Sequence, residues 1–281
     1  MGLFTKKRKD AELIRPKDSI GVLMPLIFPK RTESEVSMTR DFDVTKLCKY
    51  VDDINKNNDL EFKMTYFHAL MAAMGIAIYN RPALNRFVKD KCLYQRKDLI
   101  FSFIAKNKLV DNGEEKIIFI KLNKNENALQ LSKRMAVDVF KAKSENTGGF
   151  DDTLKFLTNL PKWILSLIVK FVMFLDKKGK NLKSLTEGDT NYSTVIFSNL
   201  GSIKSRSCYH HLSEYGTNSI VITVGTIREE NKKKIVDITF TIDERISDGF
   251  YFAKSVNLID YIINNPELLD KPLSEKVEYE I

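Results

Sequence analysis

Cysteine is scarce in this chain. There are three, Cys48, Cys92 and Cys208, an odd number without the paired spacing of a metal centre. That excludes a disulfide framework and a cysteine-based zinc site, and suits a reduced, cytoplasmic protein. A secretory signal peptide is also lacking, because Met1 to Asp10 is charged and no apolar region follows it closely. Gly2 carries no myristoylation pattern, since position 6 is Lys6 rather than Ser or Thr. Acidic residues are outnumbered, 37 Asp and Glu against 45 Lys and Arg, for a net charge of +8. Such a balance is compatible with anionic ligands or an anionic membrane. No basic run is interleaved with aromatics, so a nucleic-acid partner is not expected. One apolar stretch, Leu154 to Leu175, approaches the length of a membrane span, but Lys155, Pro161, Lys162 and Lys170 interrupt it. Strand patterns continue on both sides of it, which excludes a spanning helix.

What is there is enough for a buried core: 281 residues, 43% of them hydrophobic. Residues 1–18 read as a basic N-terminal tail and 271–281 as a C-terminal tail, with one domain, 19–270, between them. Val36 to Val44 alternates as a strand, and Asp43 or Thr45 is placed to cap the helix that follows. Lys63 to Tyr79 is apolar on most sides and predicts a core helix in which His68 is a buried structural residue. Leu99 to Ala105 and Lys116 to Leu122 predict a hairpin turned by Asp111-Asn112-Gly113, and Glu126 to Ala142 an amphipathic helix. The segment at about 150–185 reads as a helical insertion, packed on the domain or on a neighbouring subunit. A second reading is peripheral membrane contact through 154–183, where Trp163 to Leu175 precedes Lys177, Lys178, Lys180 and Lys183.

Ile235 to Ile242 alternates, with Ile235, Asp237, Thr239 and Thr241 on one side and Val236, Ile238, Phe240 and Ile242 on the other. A helix pattern follows Gly249. The stretch Asp243-Glu244-Arg245-Ile246-Ser247-Asp248-Gly249 therefore occupies a strand-to-helix turn. On residues alone it reads as a strand end held by an Arg–carboxylate pair. Ser193 to Ser202 is a second strand running into a glycine turn. Tyr209-His210-His211 precedes a strand at Ile220 to Val224, and adjacent histidines on a strand would face opposite ways. No ligand spacing surrounds them, so no metal site is expected.

Asp243, Arg245, Asp248 and Gly249 match the D-H-R-x-x-D-G signature, and the segment Ser193 to Ser202 resembles the F-T-I-S-N-L-G segment, of the dihydrolipoamide acyltransferases. These are the catalytic domains of 2-oxoacid dehydrogenase complexes and relatives of the chloramphenicol acetyltransferases. Asp43-Val44-Thr45-Lys46-Leu47 and Pro82-Ala83-Leu84-Asn85 resemble two further points of that family, in the same order, so the likeness covers about 20–270. The resemblance implies an α/β fold of the chloramphenicol acetyltransferase type, a mixed and largely antiparallel sheet with packed helices. It also implies a homotrimer with its site between subunits, and coenzyme A as the acyl carrier. Ser198 would stabilise the oxyanion, Asn199 and Gly201 would shape its turn, and Asp248 would tie down Arg245 and hold the loop with Gly249. The catalytic His of the signature is replaced here by Glu244, leaving Glu244, His210 or His211 as candidate bases. A Glu has an ordinary pKa near 4.3 against about 8.5 for a thiol, so Glu244 would need burial to serve. The alternatives are a catalytically inactive trimeric scaffold, or action on another CoA or pantetheine substrate. No lipoyl attachment site, Ala/Pro-rich linker or subunit-binding domain is evident, so a stand-alone form is expected.

Overall fold

The computed structural model describes residues 7–57, 62–106, 115–144, 157–180, 186 and 188–279. The strands are β1 (Ala11–Ile14), β2 (Glu35–Asp43), β3 (Arg86–Lys89), β4 (Cys92–Arg96), β5 (Ile100–Lys106), β6 (Glu115–Lys121), β7 (Val195–Asn199), β8 (Ile220–Val224), β9 (Arg228–Glu230) and β10 (Lys233–Asp243). The helices are α1 (Ser19–Ile27), α2 (Thr45–Asn57), α3 (Tyr66–Asn80), α4 (Ala128–Ser144), α5 (Lys162–Lys177) and α6 (Gly249–Asn264). A seven-stranded sheet runs β2-β10-β8-β7-β5-β6, with β9 added to β10, and a three-stranded sheet runs β1-β4-β3. In the large sheet β5, β7 and β8 are parallel and the remaining pairs antiparallel. It is a mixed α/β fold with packed helices, as expected.

Helix α3 is the core element. Phe67, Leu70, Met71, Met74 and Ile78 are all buried, and α3 packs against α2, α4 and α6. Phe67 meets Phe103 of β5 and Phe197 of β7 edge-on, with ring centroids 5.9 and 6.1 Å away. Val236, Ile238, Phe240 and Ile242 of β10 join the same core. The predicted alternation of β10 therefore holds. Its polar residues Asp237, Thr239 and Thr241 are buried too, under a layer the sequence did not announce.

His68 stands at the start of α3. Thr65 Oγ1 accepts from the His68 N–H at 3.3 Å, and His68 Nδ1 accepts from the Thr65 N–H at 3.4 Å, a reciprocal capping box. That role needs a neutral ring, and burial lowers its pKa from 6.5 to about 4. Between those values the unfolded chain binds the proton and the folded chain does not, so stability is full above pH 6.5 and falls as pH drops toward about 4. His68→Gln retains a capping-box acceptor but cannot titrate. Its urea midpoint should vary less with pH across this window than that of the wild type.

Several boundaries differ from the sequence reading. The expected N-terminal tail is structured from residue 7 onward within the described range. β1 pairs with β4, and Arg8 is buried between Asp10, Asp176 and the Phe87 ring, 5.0 Å from its centroid. The physical reason is an ion pair to a residue 168 positions away, which no local pattern shows. The C-terminal tail is likewise docked: Leu273 is buried and its N–H bonds to Glu126 O at 2.8 Å. The β5–β6 hairpin is present, while its predicted turn, Asp111 to Gly113, lies outside the described residues. Of the insertion, α5 is described and starts just after Pro161; 150–156 and 181–185 lie outside. No helix among the described residues is long and apolar enough to cross a membrane.

Candidate active site

The end of β10 is built on Asp243, which is fully buried. Its Oδ1 accepts from Arg245 Nε at 2.8 Å and from Ser34 Oγ at 3.0 Å, and its Oδ2 from Arg245 Nη2 at 2.7 Å. Arg245 Nη1 then reaches Phe28 O at 2.9 Å. A second buried guanidinium, Arg31, stands with Nε 3.5 Å from Asp243 Oδ2 and donates to Val88 O at 3.1 Å. Arg31 also donates through its backbone N–H to Glu214 and through Nη1 to Ser213 O. Burial pushes the Arg31 guanidinium down from its usual pKa, opposed by Asp243 and Glu214. One carboxylate thus holds two arginines and fixes the turn on which Glu244 sits.

This corrects the expected pairing of Asp248 with Arg245. Asp248 is exposed and caps α6, its Oδ1 accepting from the Tyr251 N–H at 2.6 Å. The turn at Glu244–Ile246 folds Arg245 back onto the carboxylate two residues before it, which leaves Asp248 to the helix. The bidentate Asp243–Arg245 pair is the strand-end lock that the residues alone suggested. Glu244 itself is half-buried, and its side chain makes no hydrogen bond or ion pair among the described residues. Gly249 has open space where a Cβ would lie, so it gives α6 a bare start.

Ser198 lies near the C-terminal end of β7. Val195 and Phe197 face the core, so Ser198 faces the other side of the sheet, half-buried. Register continues the row: Ser198 pairs with Thr223 of β8, Thr223 with Thr239 of β10, and Thr239 with Thr39 of β2. The Thr39 and Thr239 hydroxyls are 2.8 Å apart. Four hydroxyl residues therefore cross four strands, and the Ser198 hydroxyl makes no hydrogen bond among the described residues. After it, Asn199 Oδ1 lies 3.5 Å from Tyr66 Oη, and the chain turns sharply at Leu200–Ile203. A Cβ on Gly201 would stand 2.6 Å from Gly225 O, so only glycine fits this approach.

The layer over the polar face of β10 is the coil at 205–215. Ser207 N–H donates to Asp237 Oδ2 at 2.6 Å, Cys208 N–H to Thr223 Oγ1 at 3.1 Å, and Leu212 N–H to Glu35 Oε2 at 2.9 Å. His210 and His211 lie in this coil rather than on a strand. Their rings do not face opposite ways; they stack with centroids 4.9 Å apart, both exposed. His210 Nδ1 is 2.8 Å from His211 O. Leu212 is tied to Glu35, the register partner of Asp243, so the pair belongs to the Glu244 end of the sheet.

Ser198 does not share that end. From Thr239, which lies two strands over from Ser198, β10 runs five residues to Glu244. At about 3.3 Å per residue and 4.8 Å per strand, the two side chains are roughly 20 Å apart in one chain. The structure brings Glu244, Asp243, Arg245 and Arg31 together and leaves Ser198 with Asn199 and Gly201 toward the opposite end of the strands. Arg31, Ser34 and Glu214 were not singled out from sequence; an arginine, a serine and an acid in loops carry no periodic signal. No cluster of His, Cys, Asp and Glu that could hold a metal occurs among the described residues.

The same fold occurs in solved acyltransferases. The chain superposes on dihydrolipoamide acetyltransferase from Azotobacter vinelandii with a TM-score of 0.60 at 14% identity, covering 91% of this chain and 94% of that one. A truncated catalytic core of the 2-oxoacid dehydrogenase complex from Thermoplasma acidophilum gives 0.57 at 16% identity, with 91% and 99% covered. A chloramphenicol acetyltransferase gives 0.58 at 11% identity, with 90% and 99% covered. No family model and no curated protein matches the chain by sequence.

Proposed function

We propose that the protein is a coenzyme A-dependent acyltransferase that works as a homotrimer, with Ser198 of one copy facing Glu244 of the next. It moves an acyl group between CoA and a thiol or other small acceptor. The observation that carries this reading is the separation of two candidate side chains, roughly 20 Å apart, toward opposite strand ends of one sheet, each without a partner among the described residues. Among the described residues neither side chain has a hydrogen-bond or ion-pair partner, and a second copy is what would complete each.

In the reaction, Glu244 takes the proton of the acceptor thiol, and the thiolate attacks the thioester carbonyl. The carbonyl oxygen becomes an oxyanion to which the Ser198 hydroxyl donates. Collapse breaks the bond to the CoA sulfur, and the departing thiolate takes back the proton from Glu244. Asp243, Arg31 and Arg245 hold the Glu244 turn in place. His210 and His211, at the same end of the sheet, are the other candidates for the base.

The test is acyl transfer from acetyl-CoA to dihydrolipoamide, with the product identified by mass spectrometry, beside the mass of the protein in solution. Acetylated dihydrolipoamide and a three-chain mass are expected. A one-chain mass at working concentration sinks the shared site. A specific observation favours a second reading, an inactive trimeric scaffold: none of the three histidines stands at the signature, and Asp248 caps a helix instead of holding Arg245. A trimer that neither transfers an acetyl group nor binds CoA would establish that reading.

A further inference from the structure

Helix α5 is attached along one side only. Its buried residues are Val172 and Asp176, and the Asp176 carboxylate is held by Arg8 and Lys89, each at 2.8 Å. On the outer side stand Trp163, Leu167, Phe171 and Phe174, which are 67%, 56%, 56% and 54% exposed. Their spacing puts them on one arc of the helix. An unbroken row of this kind on the surface marks an interaction site rather than ordinary surface. Beside it runs a second row, Lys162, Lys170 and Lys177, all exposed, followed by Lys178 and Lys180. Lys177 also pairs with Asp90 at 2.9 Å. From 154 to 183 the sequence holds seven lysines and one acid, and that acid is Asp176, already neutralised inside the protein.

We propose that α5 docks on an anionic lipid surface, lying in the plane of the membrane interface. The four apolar side chains enter the boundary between headgroups and acyl chains, and the lysine row meets the lipid phosphates. Charge decides against a second copy as the occupant. A copy of this chain carries +8 overall, and α5 has no exposed acid to answer its own lysines. A lipid phosphate layer satisfies the lysines and the apolar row in one plane. The ion pairs of Asp176 with Arg8 and Lys89 fix the helix so that this face stays outward.

Trp163 is the only tryptophan in the chain, so intrinsic fluorescence reports directly on the proposed contact. The experiment adds vesicles of phosphatidylcholine with phosphatidylglycerol, or of phosphatidylcholine alone, to the full chain. A blue shift, quenched by brominated acyl chains, is expected with the anionic vesicles and is reversed by salt. Removing each lysine should weaken binding about fivefold, so Lys162→Glu with Lys170→Glu lowers partitioning by at least about tenfold in co-sedimentation. Phe171→Glu abolishes it. All these positions are exposed, and circular dichroism checks that the variants stay folded. An emission spectrum unmoved by anionic vesicles overturns the proposal. So does a blue shift that grows with protein concentration and mass in the absence of lipid, which assigns the row to a subunit contact. Equal binding to phosphatidylcholine alone overturns the anionic assignment. None of these readouts depends on acyl transfer.

Discussion

Asp243→Ala should cost about 3–5 kcal/mol of folding stability, a large share of what a domain has. The carboxylate is fully buried and is shared by Arg31 and Arg245, whose side chains are each 2% exposed. Removing it strands Arg245 without its bidentate partner and leaves Arg31 with Glu214 alone of its two nearest acids. Ser34 Oγ, which spans from Asp243 to the carbonyls of Lys30 and Arg31, loses its acid as well. Asp248→Ala, by contrast, removes one exposed helix cap and should cost about 1 kcal/mol. Urea denaturation of the two variants measures the difference directly. Similar midpoints would mean that the arginines are held by something other than Asp243.

Two impaired variants should restore each other on the proposed mechanism. Ser198→Ala would remove the proposed oxyanion donor and should lower turnover by about a hundredfold or more, while Glu244→Gln would remove the proposed base. Each homotrimer would lack one half of every shared site. Co-refolded at equal amounts, copies bearing Ser198 and copies bearing Glu244 sit side by side at some interfaces. In a ring with head-to-tail contacts, random mixing regenerates about a quarter of the sites. Acetyl transfer by the mixture well above that of either variant alone is the expected result. A mixture no more active than its components would mean that Ser198 and Glu244 do not meet across a subunit boundary.

Much of this fold was legible in the chain. The alternation from Ile235 to Ile242, the apolar run through α3, and the strand pairs Leu99–Ala105 and Lys116–Leu122 all form as their periods require. Periodicity is a local property, and a half-buried strand or a core helix writes it into consecutive residues. The candidate site segments, Ser198 before Asn199-Leu200-Gly201 and Asp243 to Gly249 between a strand and a helix, stand out in the chain because each is short and contiguous.

What remained hidden depends on which segments meet. The sequence offers Asp243 and Asp248 equally as partners for Arg245, and only the turn at Glu244–Ile246 decides between them. It shows Arg8 as a tail residue, whereas the buried Asp176 and the Phe87 ring draw it inside. The stacking of His210 on His211 follows from a coil laid over β10, where a strand would have parted them. The hydroxyl row from Ser198 to Thr39, and the separation of Ser198 from Glu244, exist only once β7, β8, β10 and β2 lie side by side. The chain by itself determined its elements, its apolar core and its basic charge. Tertiary structure alone decided the partners of its buried charges, because an ion is paired by whichever group shares its burial, however far away that group lies in sequence.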